Sequence, residues 1–203
     1  MSPKIVDKKE KRQQILQAAM RVVAGKGIRN VKMDDIAKKA GVGKGTVYEY
    51  FSSKEEILHG AVAEFFQRAE TAAAKRMFRN VHPLDKLIGL LTSWIDVSEQ
   101  MPEDFLMMFI DVWAEGLRQT NPEFIKIFDM KKFYYEYRTM VSTIIRDGIE
   151  KGAFRDVDPE LSAGSLLAAF DGLMLQWLLD RENMDIQKMT DSLIDILTHG
   201  LLR

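Results

Sequence analysis

Residues 44–50 read Lys-Gly-Thr-Val-Tyr-Glu-Tyr, and their polar side chains are spaced to contact a nucleic acid. Val47 and Phe51 stand four residues apart, so both would face the interior if the segment is a helix. The remaining side chains then share the outer face. An ammonium and several hydroxyls on one face bind phosphates and base edges. The segment therefore predicts a helix that lies in the major groove of DNA.

The roles within this segment follow from the chemistry of the side chains. Lys44 can meet a phosphate or a guanine edge, and Thr46 can donate to phosphate or touch a thymine methyl. Tyr hydroxyls can donate to phosphates while the rings lie on the sugar wall. A glycine permits close backbone approach, and a carboxylate can accept from cytosine. With one Lys on each side of the segment, the predicted DNA-binding residues are Lys32, Lys44, Gly45, Thr46, Tyr48, Glu49, Tyr50 and Lys54.

A preceding helix must brace this one. Small residues at Ala37, Ala40 and Gly41 allow two helices to approach closely, and Gly41 suits the end of the first helix. The pattern predicts a helix-turn-helix. The alternatives are a tight helical corner with a solvated polar face, or a tyrosine-bearing protein interface.

The charge of the chain is divided unevenly. Residues 1–56 hold 13 Lys and Arg against 7 Asp and Glu, whereas residues 57–203 hold 16 against 23. A basic head on an acidic body is expected when only the head meets phosphate, although a charged, frayed N-terminus would give the same count. We therefore predict a DNA-binding domain at 1–56 and a second domain at 57–203, with helix four, about 54–79, connecting them.

The periodicity of the remaining chain predicts an all-α fold of nine helices. The 203 residues contain no Cys, so disulfides and thiolate metal sites are excluded. The N-terminus lacks an apolar signal core, and we find no apolar run of about 18 residues, so a cytoplasmic protein with no membrane span is expected. The predicted helices cover about 8–25, 34–40, 44–51, 54–79, 83–95, 102–113, 121–149, 158–178 and 186–202.

Aromatic and Met residues are concentrated in residues 94–140, which hold 15 of the 31 in the chain. Met adapts to irregular shapes and rings give large rigid contact areas, so the cluster suits an apolar pocket, although an ordinary core would use the same residues. With three residues of helix eight, the predicted ligand-binding residues are Trp94, Phe105, Met108, Phe109, Trp113, Phe128, Tyr134, Tyr137, Phe170, Met174 and Trp177.

The charge of the ligand is left open. A buried acid beside Trp113 or a Tyr, Glu115 for example, would select a cationic aromatic ligand. A fatty acid or acyl thioester would instead require a buried base, and Arg118 and Arg138 are available. The acids interleaved with the cluster are Asp96, Glu99, Asp111, Glu115 and Asp129.

Helix eight is apolar nearly all round, so it must be buried on several sides. Together with helix nine it can form an isologous four-helix dimer interface, or it can simply pack within one chain. His59, His82 and His199 lack metal-ligand spacing, and no catalytic set or phosphate-binding glycine loop is present. We therefore expect no metal, no cofactor and no enzymatic activity.

The order and spacing of residues 10–60 closely resemble the N-terminal signature of TetR-type (TetR/AcrR) transcriptional regulators. The resemblance is carried by Ile36-Ala37, Ala40-Gly41-Val42, Lys44-Gly45-Thr46-Val47-Tyr48, Tyr50-Phe51 and Lys54-Glu55. It implies a nine-helix homodimer with an N-terminal helix-turn-helix and a C-terminal ligand-binding and dimerisation domain. It also implies a repressor that a hydrophobic small molecule releases from a palindromic double-stranded DNA operator.

Two positions depart from that signature. Gly43 stands where the family usually has Ser, and Val31-Lys32-Met33 stands where it often has Thr. Gly43 supplies no side-chain cap, and Lys32 can replace a phosphate contact only by its charge. Two other functions stay open: a DNA-bound regulator that acts through a protein partner without a small-molecule ligand, and a helical ligand-binding protein without DNA function.

Overall fold

The computed structural model describes residues 8–77, 82–99, 103–118 and 128–202. Over these residues the chain forms nine α-helices and no β-strand, which confirms the predicted fold class. The helices are α1 (Lys8–Lys26), α2 (Met33–Ala40), α3 (Lys44–Tyr50), α4 (Lys54–Met77), α5 (Pro83–Glu99), α6 (Glu103–Arg118), α7 (Met130–Glu150), α8 (Pro159–Leu179) and α9 (Ile186–Leu201).

The chain divides into two compact units. The first is Met1–Phe66 with Met101–Met130, and the second is Gln67–Gln100 with Lys131–Arg203. Each is described by itself below. The domain boundary between residues 56 and 57 stays a prediction.

The core of the first unit is built from one face each of α1, α2 and α3. Ile15, Val23, Ile36 and Val47 are fully buried, as the periodicity of these helices predicts. The amide Nε2 of Gln14 donates to the carbonyl oxygen of Ala40 at 2.6 Å. This bond satisfies a carbonyl in the last turn of α2, which has no partner within its own helix.

A short 3-10 helix, Ile28–Asn30, joins α1 to α2 and was not predicted. Gly27 precedes it with φ 73°, in the left-handed region that glycine adopts without a steric penalty. The Ile28 side chain is buried, so this short helix packs against the core of the first unit.

The prediction of one continuous helix from Asn121-Pro122 to Ile149 is wrong at Phe128 and Asp129, which are not helical. Residues 121–127, where that helix was expected to start, lie outside the described residues. The ring of Phe128, in this non-helical stretch, stacks on Phe66, with centroids 4.8 Å apart and near-parallel planes. In the described chain α7 begins at Met130.

In the second unit α7 and α8 run antiparallel. Tyr134 on α7 meets Asp171 on α8, and Arg146 further along α7 meets Glu160 near the start of α8. Asp158 accepts a hydrogen bond from the backbone N–H of Leu161 at 2.8 Å, so its side chain caps the start of α8.

Helix α8 corrects the expectation that no segment is long and apolar enough to cross a membrane. Its 21 residues pass that test by length and composition, with a mean hydropathy of 1.3. The reason is that Glu160 and Asp171 are its only charged residues. A third of the apolar window, 33%, is buried.

Candidate nucleic-acid interface and small-molecule site

The turn between α2 and α3 is formed by backbone geometry. Gly41 ends α2 in the left-handed conformation, with φ 66° and ψ 33°. The backbone N–H of Val42 donates to the carbonyl of Ala37 at 3.1 Å, and that of Gly41 donates to Lys38 at 3.2 Å. These bonds close the end of α2 in the way that glycine-terminated helices commonly do.

Helix α3 is anchored by one face and exposed on the other. Val47 and Phe51 are 0% and 1% exposed, whereas Tyr48 is 48% exposed. The predicted DNA-binding residues are all on the accessible side: Lys32, Lys44, Gly45, Tyr48 and Glu49 are exposed, and Thr46, Tyr50 and Lys54 are half-buried. Their assignment to DNA stays a prediction.

The two helix entry points are capped differently. At α2, the backbone N–H of Lys32 donates to Asp35 Oδ2 at 3.2 Å, and the ammonium of Lys26 donates to Asp35 Oδ1 at 2.7 Å. The Lys26 hydrogen bond is the main cause that lowers the pKa of Asp35. At α3, Gly43 makes no side-chain cap. The backbone N–H of Val47 donates to the Gly43 carbonyl at 3.2 Å, so the N-cap residue contributes backbone groups but no side chain, as Gly43 implied.

Lys44 is paired with an acid in this structure. Its ammonium lies 2.8 Å from Asp34 Oδ1, and each side chain is 56% exposed. The hydrogen bond to Asp34 raises the pKa of Lys44. Solvent screens such an exposed pair, so it contributes little to stability and does not hold Lys44 firmly against another anion.

The start of α4 has the capping spacing of Ser53 and Glu56. The hydroxyl of Ser53 accepts from the Glu56 backbone N–H at 3.1 Å. The Glu56 carboxylate in turn accepts two hydrogen bonds from the residue before Ser53. The donors are the Ser52 backbone N–H, at 2.6 Å, and the Ser52 hydroxyl, at 2.7 Å. The Ser52 backbone bond is the main cause that lowers the pKa of Glu56. This double cap fixes the turn of the helix that carries Lys54.

Two acids of α6 form hydrogen bonds with the short 3-10 helix, and these contacts were not predicted from the sequence. Asp111 Oδ2 accepts from the Ile28 backbone N–H at 2.9 Å. Glu115, 6% exposed, accepts from Arg29 Nε at 2.5 Å and Nη2 at 2.9 Å, and from Arg118 at 2.7 Å. The Arg29 bond is the main cause that lowers the pKa of Glu115. We call Asp111, Glu115, Ile28 and Arg29 the α6 clamp.

The predicted ligand-binding residues fall into both units. In the first unit Phe109 lies 6.4 Å from Phe105 and 6.1 Å from Phe66, by ring centroids, and Phe66 also stacks on Phe128. Met108 is fully buried and Trp113 is half-buried. Phe66, on α4, was missed because it lies outside residues 94–140 and helix eight, where the predicted residues are found. The side chain of Trp94 is outside the described residues.

In the second unit, Tyr134 and Tyr137 flank Phe133, whose ring centroid lies 5.4 and 5.6 Å from theirs. Burial raises the pKa of Tyr137. On α8, Phe170 and Trp177 are buried and Met174 is half-buried. That all eleven predicted residues line one effector pocket stays a prediction.

Asp171 is the acid that the sequence analysis passed over. Its Oδ2 accepts from the Tyr134 hydroxyl at 2.8 Å. Burial raises its pKa, and the Tyr134 bond opposes that effect. Among the described residues, no Lys or Arg forms an ion pair with it. A single carboxylate in an otherwise apolar stretch of sequence was the signal that could have found it.

Glu115, unlike Asp171, already has cationic partners in the described part of the chain. Its carboxylate is shared by Arg29 and Arg118, so the idea that it selects a cationic ligand beside Trp113 loses its physical basis. Among the described residues, no group of three or more His, Cys, Asp and Glu could hold a metal ion.

Two family profiles together cover most of the chain. Residues 15–65 match "Bacterial regulatory proteins, tetR family", and residues 83–202 match "BetI-type transcriptional repressor, C-terminal". The chain is 28% identical to the Fatty acid metabolism regulator protein of Bacillus subtilis (strain 168), over 96% of this chain and 97% of that protein. It is 26% identical to the HTH-type transcriptional regulator BetI of Proteus mirabilis (strain HI4320), over 96% and 94%.

A solved structure shares the fold along the whole length of its chain. It is a protein from Saccharomonospora viridis, described as a transcriptional regulator and crystallised in complex with choline. The TM-score is 0.77 at 26% identity, covering 97% of this chain and 100% of that one.

Proposed function

The chain belongs to the TetR family of transcriptional regulators, and we propose that it is a homodimeric cytoplasmic repressor that a small hydrophobic molecule releases from a palindromic operator. The observation that carries the proposal is the exposed face of α3, which presents Lys44, Tyr48 and Glu49 beside a glycine turn. Curated relatives of this chain are transcriptional regulators, and we propose no catalytic activity for it.

On this proposal α3 enters the major groove. Lys44 leaves Asp34 for a phosphate or a guanine edge, and Tyr48 donates its hydroxyl to the backbone. Gly45 allows close approach, and Glu49 faces the bases. Lys32, Thr46, Tyr50 and Lys54 complete the contact from the walls of the groove. Residues 1–56 form the DNA-binding domain in this account, and residues 57–203 form the effector and dimerisation domain.

A second copy of the chain is the proposed cover for α8 and α9. A groove between these helices is lined by small and apolar residues, among them Ala168, Gly172 and Leu193. At its edge Ile196 is 65% exposed, and Leu179 at the end of α8 is 87% exposed. Small residues allow helices of two copies to pack closely around a two-fold axis. The same contact would bury the apolar surface of α8, so no membrane is needed to explain it.

For the effector we propose, more narrowly, a small molecule whose alkylammonium group Asp171 would hold while its apolar part contacts the aromatic rings. A half-buried carboxylate without a cationic partner is costly, and a bound cation would relieve that cost. Tyr134 donates its hydroxyl to Asp171, and the Phe133 ring packs against the Tyr134 ring. Aromatic faces attract alkylammonium groups. Choline in the Saccharomonospora viridis structure is a ligand of this class. An acyl ligand would need a buried base, but Arg118 already binds Glu115 and Arg138 is exposed.

Effector and operator are proposed to oppose each other through the attachment of the helix-turn-helix. The α6 clamp binds the 3-10 helix that leads into α2. A displacement of α6 would therefore alter the position of the helix-turn-helix. Because such coupling is reciprocal, operator binding must weaken effector binding by the same factor.

The experiment is a titration on a duplex that the wild-type protein selects from a random pool. Choline and a long-chain acyl thioester are added separately, and fluorescence anisotropy reports the bound fraction. We expect choline to release the protein from the duplex, and Asp171→Asn to remove the response while operator affinity stays unchanged. Release by the acyl thioester alone would overturn the cation assignment, and equal operator affinity with every compound would overturn the ligand response.

A further inference from the structure

A basic groove lies beside α3 on the first unit. It is lined by Lys8, Lys9, Arg12, Glu49 and Tyr50, and it encloses about 430 Å³. Three of these residues are cations and one is an acid, so the lining carries a net charge of +2. Glu49 and Tyr50 are also two of the predicted DNA-binding residues, which makes the groove continuous with the exposed face of α3.

Arg12 is held in place at one side of this groove. Its guanidinium carbon lies 5.0 Å from the centroid of the Phe51 ring, and Phe51 is 1% exposed. Gly60 on α4 permits this position, because a Cβ there would lie 3.2 Å from Arg12 Nη2. A guanidinium that is already oriented loses less entropy when it binds an oxyanion.

Among the described residues, no Asp or Glu forms an ion pair with Arg12. Its charge contributes to the lowered pKa of Glu56, but only as a minor cause behind the Ser52 hydrogen bonds. Its side chain as a whole remains exposed. The groove is therefore lined by an oriented planar donor together with the side chains of Lys8 and Lys9, a combination that suits a phosphate diester.

We propose that the basic groove binds a backbone phosphate of the operator, adjacent to the major groove that α3 enters. This inference rests on the proposed DNA-binding function. A helix in the major groove is flanked by phosphates on both walls, and a basic surface next to it meets one of them. The contact adds affinity and fixes register but reads no base.

The test measures how DNA affinity depends on salt. Wild type is compared with Lys8→Gln/Lys9→Gln and with Arg12→Gln, using the selected duplex and one of random sequence. Each lost phosphate contact lowers the slope of log affinity against log salt by about 0.9. We expect that loss on both duplexes, with the ratio of the two affinities unchanged. The control is Lys131→Gln/Lys132→Gln on the exposed surface of α7, for which the slope stays at the wild-type value.

Arg12→Lys separates charge from packing, because it keeps the cation but changes the contact with Phe51. It should retain most of the slope, and circular dichroism should show wild-type helix content for every variant. Equal loss in Arg12→Lys and Arg12→Gln would assign the effect to packing and contradict the proposal.

Three further results would contradict either the assignment of the basic groove or the proposed DNA-binding function on which it rests. Unchanged slopes in both groove variants, with normal DNA binding by wild type, reject the groove alone. No binding of any duplex by wild type rejects the DNA-binding function itself. Inorganic phosphate at fixed ionic strength serves as the competing probe: if it stabilises wild type but not the variants, while all DNA slopes agree, the groove is a small-anion site.

Discussion

The α2–α3 pair and the α8–α9 pair each leave one face uncovered in a single chain, and the two faces differ in chemistry. The face of α3 carries Lys44, Tyr48 and Glu49, whereas α8 and α9 expose Leu179 and Ile196. A polar face with cations and hydroxyls suits phosphates and base edges. An exposed apolar face gains free energy only when another apolar surface covers it. On the proposed function, the two faces meet two kinds of partner: DNA for the first face and a second copy of the chain for the other.

The largest expected effect comes from a charge on the apolar face. Ile196→Glu places a carboxylate in the proposed dimer contact, so the protein becomes monomeric. Loss of the second linked head lowers operator affinity by roughly 10²–10⁴-fold. Analytical ultracentrifugation measures the oligomeric state, and titration of operator DNA measures the affinity. Leu117→Glu is the control, since Leu117 is a similarly exposed Leu on α6, and it should leave dimer and affinity intact. If the Ile196→Glu protein is still a dimer, the assignment of α9 to the dimer interface is wrong.

On the polar face, Lys44→Ala and Tyr48→Ala should each weaken operator binding by roughly 1–3 kcal/mol. The first loses a cation and the second a hydroxyl and a ring that lie on the accessible side of α3. Both side chains are exposed, so the thermal midpoint of unfolding should not change. Tyr135→Ala is the matched control, because Tyr135 on α7 is 67% exposed and lies outside the proposed interface. Equal loss of affinity in the control would show that the effect is not specific to α3.

A smaller effect is expected where the helix-turn-helix is attached. Glu115→Gln removes the charge that binds Arg29 and Arg118, and it should lower the free energy of unfolding by about 1–2 kcal/mol at neutral pH. Because the pKa of Glu115 is lowered in the folded state, this contribution is present above the ordinary pKa of a glutamate. It is lost as the pH falls through the folded-state pKa.

The measurement for Glu115→Gln is denaturant unfolding at several pH values. The gap between wild type and variant should narrow as the solution becomes acidic. Glu136→Gln provides the comparison. Glu136 forms an exposed pair with Lys132 at 3.8 Å, so this substitution should change stability by less than about 1 kcal/mol. A gap that widens in acid would contradict the clamp.

The smallest effect concerns the entry to α3. Gly43 has φ −68° and ψ 152°, an extended conformation that Ser adopts readily. Gly43→Ser would add a side-chain acceptor for an N–H in the first turn, so stability should rise by only a few tenths of a kcal/mol. Calorimetry at matched concentration measures the shift. A fall in stability would mean that the position does not tolerate a capping side chain.

The α2–α3 region was predictable because its determinants are close in sequence. Gly41, Val47 and Phe51 lie within eleven residues, and each has a local consequence: a left-handed turn or a buried helix face. The helix starts at Asp158-Pro159 and Ser53 were readable for the same reason.

The contacts that sequence alone did not give are distant in sequence. The α6 clamp joins residues 28–29 to residues 111–115, and Asp171 meets Tyr134 from a different helix. No local pattern states which helices are neighbours, so Glu115 was weighed as a ligand group although its charge is used within the first unit. The break at Phe128 was missed because residues 128–129 are not helix breakers by composition. Its ring partner, Phe66, lies 62 positions earlier.

The central claim is that α3 reads DNA as half of a symmetric pair. The most direct measurement is selection of bound duplexes from a random pool by wild type and by the double variant Lys44→Ala/Tyr48→Ala. We predict that wild type enriches one two-fold symmetric sequence and that the double variant, folded and dimeric, enriches none. Enrichment of the same sequence by both proteins, or of no sequence by wild type, would contradict the claim.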